Sequence, residues 1–562
     1  MRKQMRLVLV ACVAIAAGCR MTAKAPVPDR VLVGGTVWTG ESERPDATGI
    51  ALSGDSILAV GEEEGIRAMA GPATEVIELR GRFVMPGFVD THTHFLEGGL
   101  RLASVDLRDA ATPRELARRI AAHAGGLPEG TWILGGDWDH ELWGGTLPDR
   151  AWIDEVTPDH PVFVTRLDWH MALANSRAMN AAGFDPATPD PPGGEIVRDA
   201  AGRPTGVFKD EAMSLIYAAV PAPTDAERDS ALAAAMRHAA SVGVTGVHDM
   251  GDWEGLEAYR RARARGALTL RVRAFVPLAG WERLAAHVRA AGTGDDWLSW
   301  GGLKGFVDGS LGSSTALFFD PYEDDPSQRG LRVTELEVLA AQVRSADAAG
   351  LQVAIHAIGD RANAELLELY AAVERENGPR DRRFRVEHAQ HLRREDLPRF
   401  AELGVIPAMQ PYHAIDDGRW AERKIGPERA QGTYAFRSLW EAGARPAFGS
   451  DWTVAPLDPL LGVYAAVTRR TLDAANPDGW VPAERIPVAQ ALAGYTRDAA
   501  RAGFQEERIG TLRPGKLADL VVLDRSPYEV APEELGELAV DLTIVGGRTV
   551  FARAEEASAP PR

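Results

Sequence analysis

Eight short apolar runs, spaced by stretches long enough for helices, set the fold this chain can adopt. The first is Gly81-Arg-Phe-Val-Met-Pro-Gly-Phe-Val-Asp-Thr-His-Thr-His94. The others are Val244–Asp249, Leu270–Val276, Gly302–Val307, Leu351–His356, Phe384–His388, Val405–Gln410 and Arg445–Asp451. Short runs that are nearly apolar throughout read as strands buried on both faces, and helical crossovers between them fit parallel βαβ units. Thr112, Thr224 and Thr334 each precede a glutamate by three residues, the spacing of a helix-starting capping box. Eight alternating units close a (β/α)8 barrel, so the expected class is α/β.

Both ends of the chain have a different texture. Arg30 to Glu78 and Ala518 to Phe551 hold short β-rich runs with Gly and Asp turns, and both contain an apolar strand followed by Val-Gly-Gly. This predicts a small β-sandwich domain built from both termini, 28–85 with 508–554, around a barrel of 86–507. Between the first and second barrel strands lie residues 106–223, too many for one crossover, with strand-like pieces at Thr131 and Pro161. We expect this insertion to form a cap over the active site.

The first residues read as an export signal. Arg2, Lys3 and Arg6 precede an apolar run from Leu7 to Ala17, which ends at Ala16-Ala-Gly-Cys19. That run is too short to span a bilayer. The Ala-Gly-Cys ending resembles a lipoprotein cleavage site, which predicts a signal peptide over 1–19 and a lipid on Cys19. Simple secretion is the alternative, because Ala16 stands where leucine is commoner. Either way the protein is expected in the periplasm or cell envelope, touching membrane only through that lipid.

The two cysteines, Cys12 and Cys19, both fall in this segment, so the body offers no thiolate ligand. A net charge of −18 without a basic run in the body argues against nucleic acid as partner. Oligomeric state is left open.

His92 and His94 stand two apart on a strand, so both side chains reach the same side while Thr93 faces away. The pair alone is weak evidence: 13 histidines in 562 residues produce a His-x-His roughly 0.3 times by chance. Context strengthens it, since the pair closes a buried strand at the barrel end where such enzymes keep their chemistry. Ligand-type residues end other strands too: Lys304, His356, His388 and Asp451. Singly, His356 or His388 reads as a core histidine and Asp451 as a helix cap. Together they converge on one mouth.

The chain resembles the metal-dependent amidohydrolase superfamily, specifically the amidohydrolase family 3 branch that includes N-substituted formamide deformylase. The motifs are Pro86-Gly-Phe-Val-Asp-Thr-His-Thr-His94, Lys304-Gly-Phe-Val-Asp-Gly-Ser310, His356-Ala-Ile-Gly-Asp-Arg-Ala-Asn363, Val386-Glu-His-Ala-Gln390, Gly449-Ser-Asp-Trp452 and Gly510–Leu523. The resemblance implies one metal on His92, His94 and Asp451 and a second on His356 and His388. An ammonium cannot ligate a cation, so Lys304 would bridge two metals only as a carbamate. Otherwise it is a lysine salt-bridged beside Asp308, and the site holds one metal. Imidazole and carboxylate ligands suit Zn²⁺ first, and also Mn²⁺ or Fe²⁺.

The implied reaction is hydrolysis of a carbon–nitrogen bond in a small-molecule substrate, an N-formyl, N-acyl or cyclic amide, by metal-activated hydroxide. Asp451 would take the water's proton and pass it to the leaving amine, and His170 would orient the carbonyl. Trp138, Trp143, Trp452 and His413 are expected at the substrate. Trp169 stands where a smaller residue is expected, which predicts a differently shaped pocket. A deaminase using the same metal, and a binding lipoprotein without activity, are the alternatives.

Overall fold

The computed structural model describes residues 26–41, 44–102 and 104–554. The expected signal peptide and Cys19 lie outside them. Among the described residues no helix is long and apolar enough to cross a membrane.

The eight barrel strands are β1 (Phe88–Thr93), β2 (Val244–Met250), β3 (Arg271–Pro277), β4 (Leu298–Phe306), β5 (Gln352–Ala357), β6 (Arg385–His388), β7 (Ile406–Met409) and β8 (Ala447–Phe448). Each pairs in parallel with its chain neighbour from β1 through β8. β1, β2 and β5 are buried at every position, as strands covered on both faces must be. The largest apolar core lies between this sheet and the helices around it.

The seam between β8 and β1 closes through the backbone that follows β8. The Asp451 N–H donates to His92 O and the His94 N–H to Trp452 O, both at 2.7 Å. Thr93 and Trp452 form a parallel bridge. The buried carboxylate of Asp90 ties the same seam, accepting from the backbone N–H groups of Ser450 at 3.0 Å and His92 at 3.1 Å.

The residues from both termini form one eight-stranded sheet, seven strands on one hydrogen-bonded path and Glu75–Glu78 branching from Arg30–Val37. Leu520–Leu523 pairs with Phe83–Pro86, which leads directly into β1, so the sheet is joined to the barrel by the chain itself. The insertion contributes a separate six-stranded sheet from Val105–Asp106 to Pro204–Asp210, with apolar cores of its own. Thr224 and Glu227 form a full capping box, and Thr112 accepts from the Glu115 N–H. Thr334 does not cap its helix: the helix begins at Leu336, with Glu335 before it and no side-chain cap.

Gly449 sits at the tightest point of the seam, where a Cβ would stand 2.5 Å from the backbone nitrogen of His92 and 2.6 Å from Asp90 Oδ1. Backbone cannot rotate away as a side chain can. Gly449→Ala is therefore expected to destabilise the protein by about 1–3 kcal/mol, read as a lower melting temperature at fixed metal loading; an unchanged melting temperature would show that the seam yields.

Candidate metal centre

His92 and His94 leave β1 on one side, as their spacing requires, and the seam brings Asp451 against them. Asp451 Oδ1 lies 3.3 Å from His94 Nε2 and 3.6 Å from His92 Nε2. It is buried and has no hydrogen-bond partner. A buried carboxylate oxygen left unsatisfied is costly, and here it faces two imidazole nitrogens. This is the donor set a divalent cation satisfies. The three ligand atoms lie within 4.8 Å of one another.

A second close group shares Asp451 and adds His388 and His413. His388 Nδ1 donates to Gln410 Oε1 at 2.8 Å, and His413 Nε2 is buried without a partner. His356, the expected partner of His388 at a second metal, is not a member of this group of three. His356 lines the same cavity with its ring 4.4 Å from that of His388, but its Nε2 is held by the carbonyl of Gly309 at 3.0 Å. Burial lowers the proton affinity of His92, His356 and His388 well below the usual histidine range, keeping them neutral and able to ligate.

Lys304 is buried, and its Nζ stands 3.3 Å from His92 Nε2. It makes no ion pair among the described residues, so the salt bridge beside Asp308 is not present. Asp308 instead accepts from the backbone N–H groups of Leu317, Ile358 and Gly359, fixing the loops after β4 and β5. Burial lowers the Lys304 pKa to about 8, opposed by Glu387 and Asp451. A fraction of the amine is thus neutral near physiological pH, the form that reacts with CO₂.

Beneath the ligands runs a chain of buried polar contacts. His92 Nδ1 donates to Glu387 Oε2 at 2.5 Å, and Arg385 holds both oxygens of that carboxylate at 2.7 and 2.9 Å. This fixes the His92 tautomer so that Nε2 faces Asp451. Glu387 escaped the sequence reading, although a charged pair two apart on an apolar strand, Arg385 and Glu387, signals an inward-facing ion pair.

The cavity at this site measures about 220 Å³. The insertion supplies its roof through Arg166–His170. His170 Nδ1 donates to Asp210 Oδ1 at 2.5 Å. Burial opposes its protonation, but Asp210, Asp168 and Asp308 outweigh that and raise its pKa. Asp210 comes from a strand 40 residues on, beyond the reach of any local pattern. His413 lines the cavity.

The three expected tryptophan contacts do not reach it. Trp138 is fully buried in the insertion's core, donating to Val164 O. Trp143 packs edge-on against Trp152 and donates to Thr146 O. Trp452 is buried between Phe95 and His238. Trp169 takes the wall instead, its ring 4.8 Å from His94 with the Arg101 guanidinium 4.5 Å from its centre. Trp169, His388 and Asp451 all hold left-handed backbone, at φ 61°, 73° and 59°, a cost that residues at functional sites carry.

Similarity to known proteins agrees with this geometry. The profile of the amidohydrolase family matches residues 75–551, and the chain belongs to that family. It is 40% identical over 538 residues to protein LONG AFTER FAR-RED 3 of Arabidopsis thaliana, covering 93% of this chain and 92% of the relative. It is 31% identical over 543 residues to N-substituted formamide deformylase of Arthrobacter pascens, covering 93% and 98%. Among solved structures it is similar to an uncharacterized metal-dependent hydrolase from Pyrococcus horikoshii OT3, with a TM-score of 0.72 at 30% identity, covering 90% of this chain and 99% of that one.

Because Glu387 orients His92 without reaching the cavity, Glu387→Gln is expected to lower metal affinity about 10–100-fold. Competition with a chromophoric chelator measures this, and unchanged affinity would remove Glu387 from that role.

Proposed function

We propose that this amidohydrolase cleaves a non-peptide carbon–nitrogen bond of a small N-formyl or N-acyl amine. The observation that carries the reading is the unsatisfied Asp451 oxygen facing two imidazole nitrogens at a cavity floor. The similarity to a formamide deformylase supports the bond type. Zinc is the proposed metal, held by His92, His94 and Asp451, with His388 and His413 placed to hold a second and Lys304 to bridge them if carboxylated. When bound, such a metal supplies water activated near neutral pH and polarises a carbonyl.

The chain's own groups then divide the work. Asp451 accepts the proton released by the attacking water and returns it to the departing amine. His170, held by Asp210, whose carboxylate favours its protonated form, donates a hydrogen bond toward the substrate carbonyl oxygen when protonated. The insertion roof and Trp169 exclude bulk water. For location, we propose export with a lipid on Cys19, which Cys19→Ser would abolish along with labelling by a fatty-acid probe.

Asp451→Asn removes the proton acceptor but keeps a ligating oxygen. We expect a fall in turnover of at least about 100-fold with most of the metal retained, measured on a panel of N-formyl and N-acyl amines alongside metal analysis. Full activity in this variant would exclude Asp451 as the base. Growth of activity on reconstituting the metal-free protein with zinc in bicarbonate, over zinc alone, is expected if Lys304 is carboxylated; equal activity in both would argue for an unmodified lysine.

A further inference from the structure

At the opposite end of the barrel from the metal centre lies a second cavity of about 260 Å³, lined by Arg271, Arg273, Ser299, Gly503 and Arg508 among others. Arg271 pairs with Asp519, and Arg508 with Asp296. The acids lining the cavity are paired as well, Asp295 with Arg263 and Asp296 with Arg508. Arg273 is the exception. It is 8% exposed, makes no ion pair among the described residues, and has one acceptor, Gln352 Oε1, at 2.9 Å from Nη2. Its Nε has no partner.

A guanidinium buried without a counter-charge is expensive, and the aromatic rings beside it offset only part of that cost. The rings of Phe275 and Phe504 each lie 5.6 Å from its centre. Burial, with Arg385 and Arg383, lowers its pKa to about 9.

The other unsatisfied groups nearby can donate too. Ser299 stands opposite Arg273 in the β3–β4 ladder and lines the cavity, and its hydroxyl has no partner. His248 Nδ1 accepts from Arg385 Nη1 at 2.8 Å, because a guanidinium only donates. The hydrogen of the neutral ring therefore sits on Nε2, which is also unpartnered. Gly503 keeps the space between them clear: a Cβ there would stand 2.6 Å from His248 Nε2 and 3.2 Å from Arg273 Cδ.

Donors without acceptors, around one uncompensated cation, describe half of an interaction. We propose that this cavity binds a small oxyanion, held by the Arg273 guanidinium with the Ser299 hydroxyl beside it. The site is separate from the hydrolytic centre and joins the barrel to the terminal β domain, because Arg271 on β3 reaches Asp519 of that domain across the cavity wall.

The test uses the metal-loaded full chain, titrated with sodium sulfate at ionic strength held constant with sodium chloride. Melting temperature and calorimetric binding are read together. Sulfate is expected to bind saturably and raise the melting temperature. Arg273→Met should lose at least tenfold in sulfate affinity, yet melt no lower than the parent in sulfate-free buffer, since an unpaired buried charge has gone. A purely structural arginine would give the reverse, a lower melting temperature and no anion dependence.

Arg273→Lys keeps the charge without the fork and should bind more weakly than the parent but more tightly than Arg273→Met. Sodium acetate in place of sulfate distinguishes a carboxylate ligand from a tetrahedral one. No saturable response to either anion in the parent overturns the proposal. So does a response unchanged in Arg273→Met, which would place the anion at the metal centre. If Arg273→Met fails to fold, Ser299→Ala decides: weaker sulfate binding supports the site, and unchanged binding overturns it.

Discussion

The contact on which the rest depends is the seam between β1 and the backbone that follows β8. Its hydrogen bonds, Asp451 N to His92 O and His94 N to Trp452 O, do two things at once. They finish the barrel, which the β1–β8 ladder alone leaves open, and they set the Asp451 carboxylate against both histidines of β1. Barrel closure and ligand assembly are therefore a single event. Asp90 makes the seam specific, since its buried oxygens accept from backbone on both sides. Burial pushes its pKa up to about 7.

Below the seam the barrel interior is polar where a packed barrel is commonly branched and apolar. His92, Glu387, Arg385 and His248 form one hydrogen-bonded line from the ligand level toward the far end of the barrel. Each member is buried, and the ion pair within the line offsets the cost of its charges only because the geometry is close and both carboxylate oxygens are engaged. The line gives His92 a fixed tautomer. At its lower end it leaves His248 Nε2 unsatisfied beside the uncompensated Arg273.

Much of this was legible from the residues. The barrel strands stand out because burial on both faces leaves little room for polar residues, and His92 with His94 because strand period places them together. The amidohydrolase family, too, was plain in the motifs. What stayed hidden depended on pairings between distant segments. Trp138, Trp143 and Trp452 have the chemistry of pocket walls, but the insertion's sheet pairs Gly135–Trp138 with Phe163–Arg166 and draws Trp138 into its core. His356 follows the ligand pattern, yet the loop after β4 offers it the Gly309 carbonyl. His413, expected at the substrate, stands close to Asp451 as well, because the helix Pro411–Asp417 starts directly after β7.

The account rests on a cation held where the seam brings β1 and Asp451 together. The most direct measurement is anomalous diffraction at the zinc edge from crystals of the metal-loaded protein. A peak about 2.0–2.2 Å from the Nε2 atoms of His92 and His94 and from a carboxylate oxygen of Asp451 is the result predicted. A fully occupied zinc bound elsewhere, with those three side chains out of its reach, would contradict it.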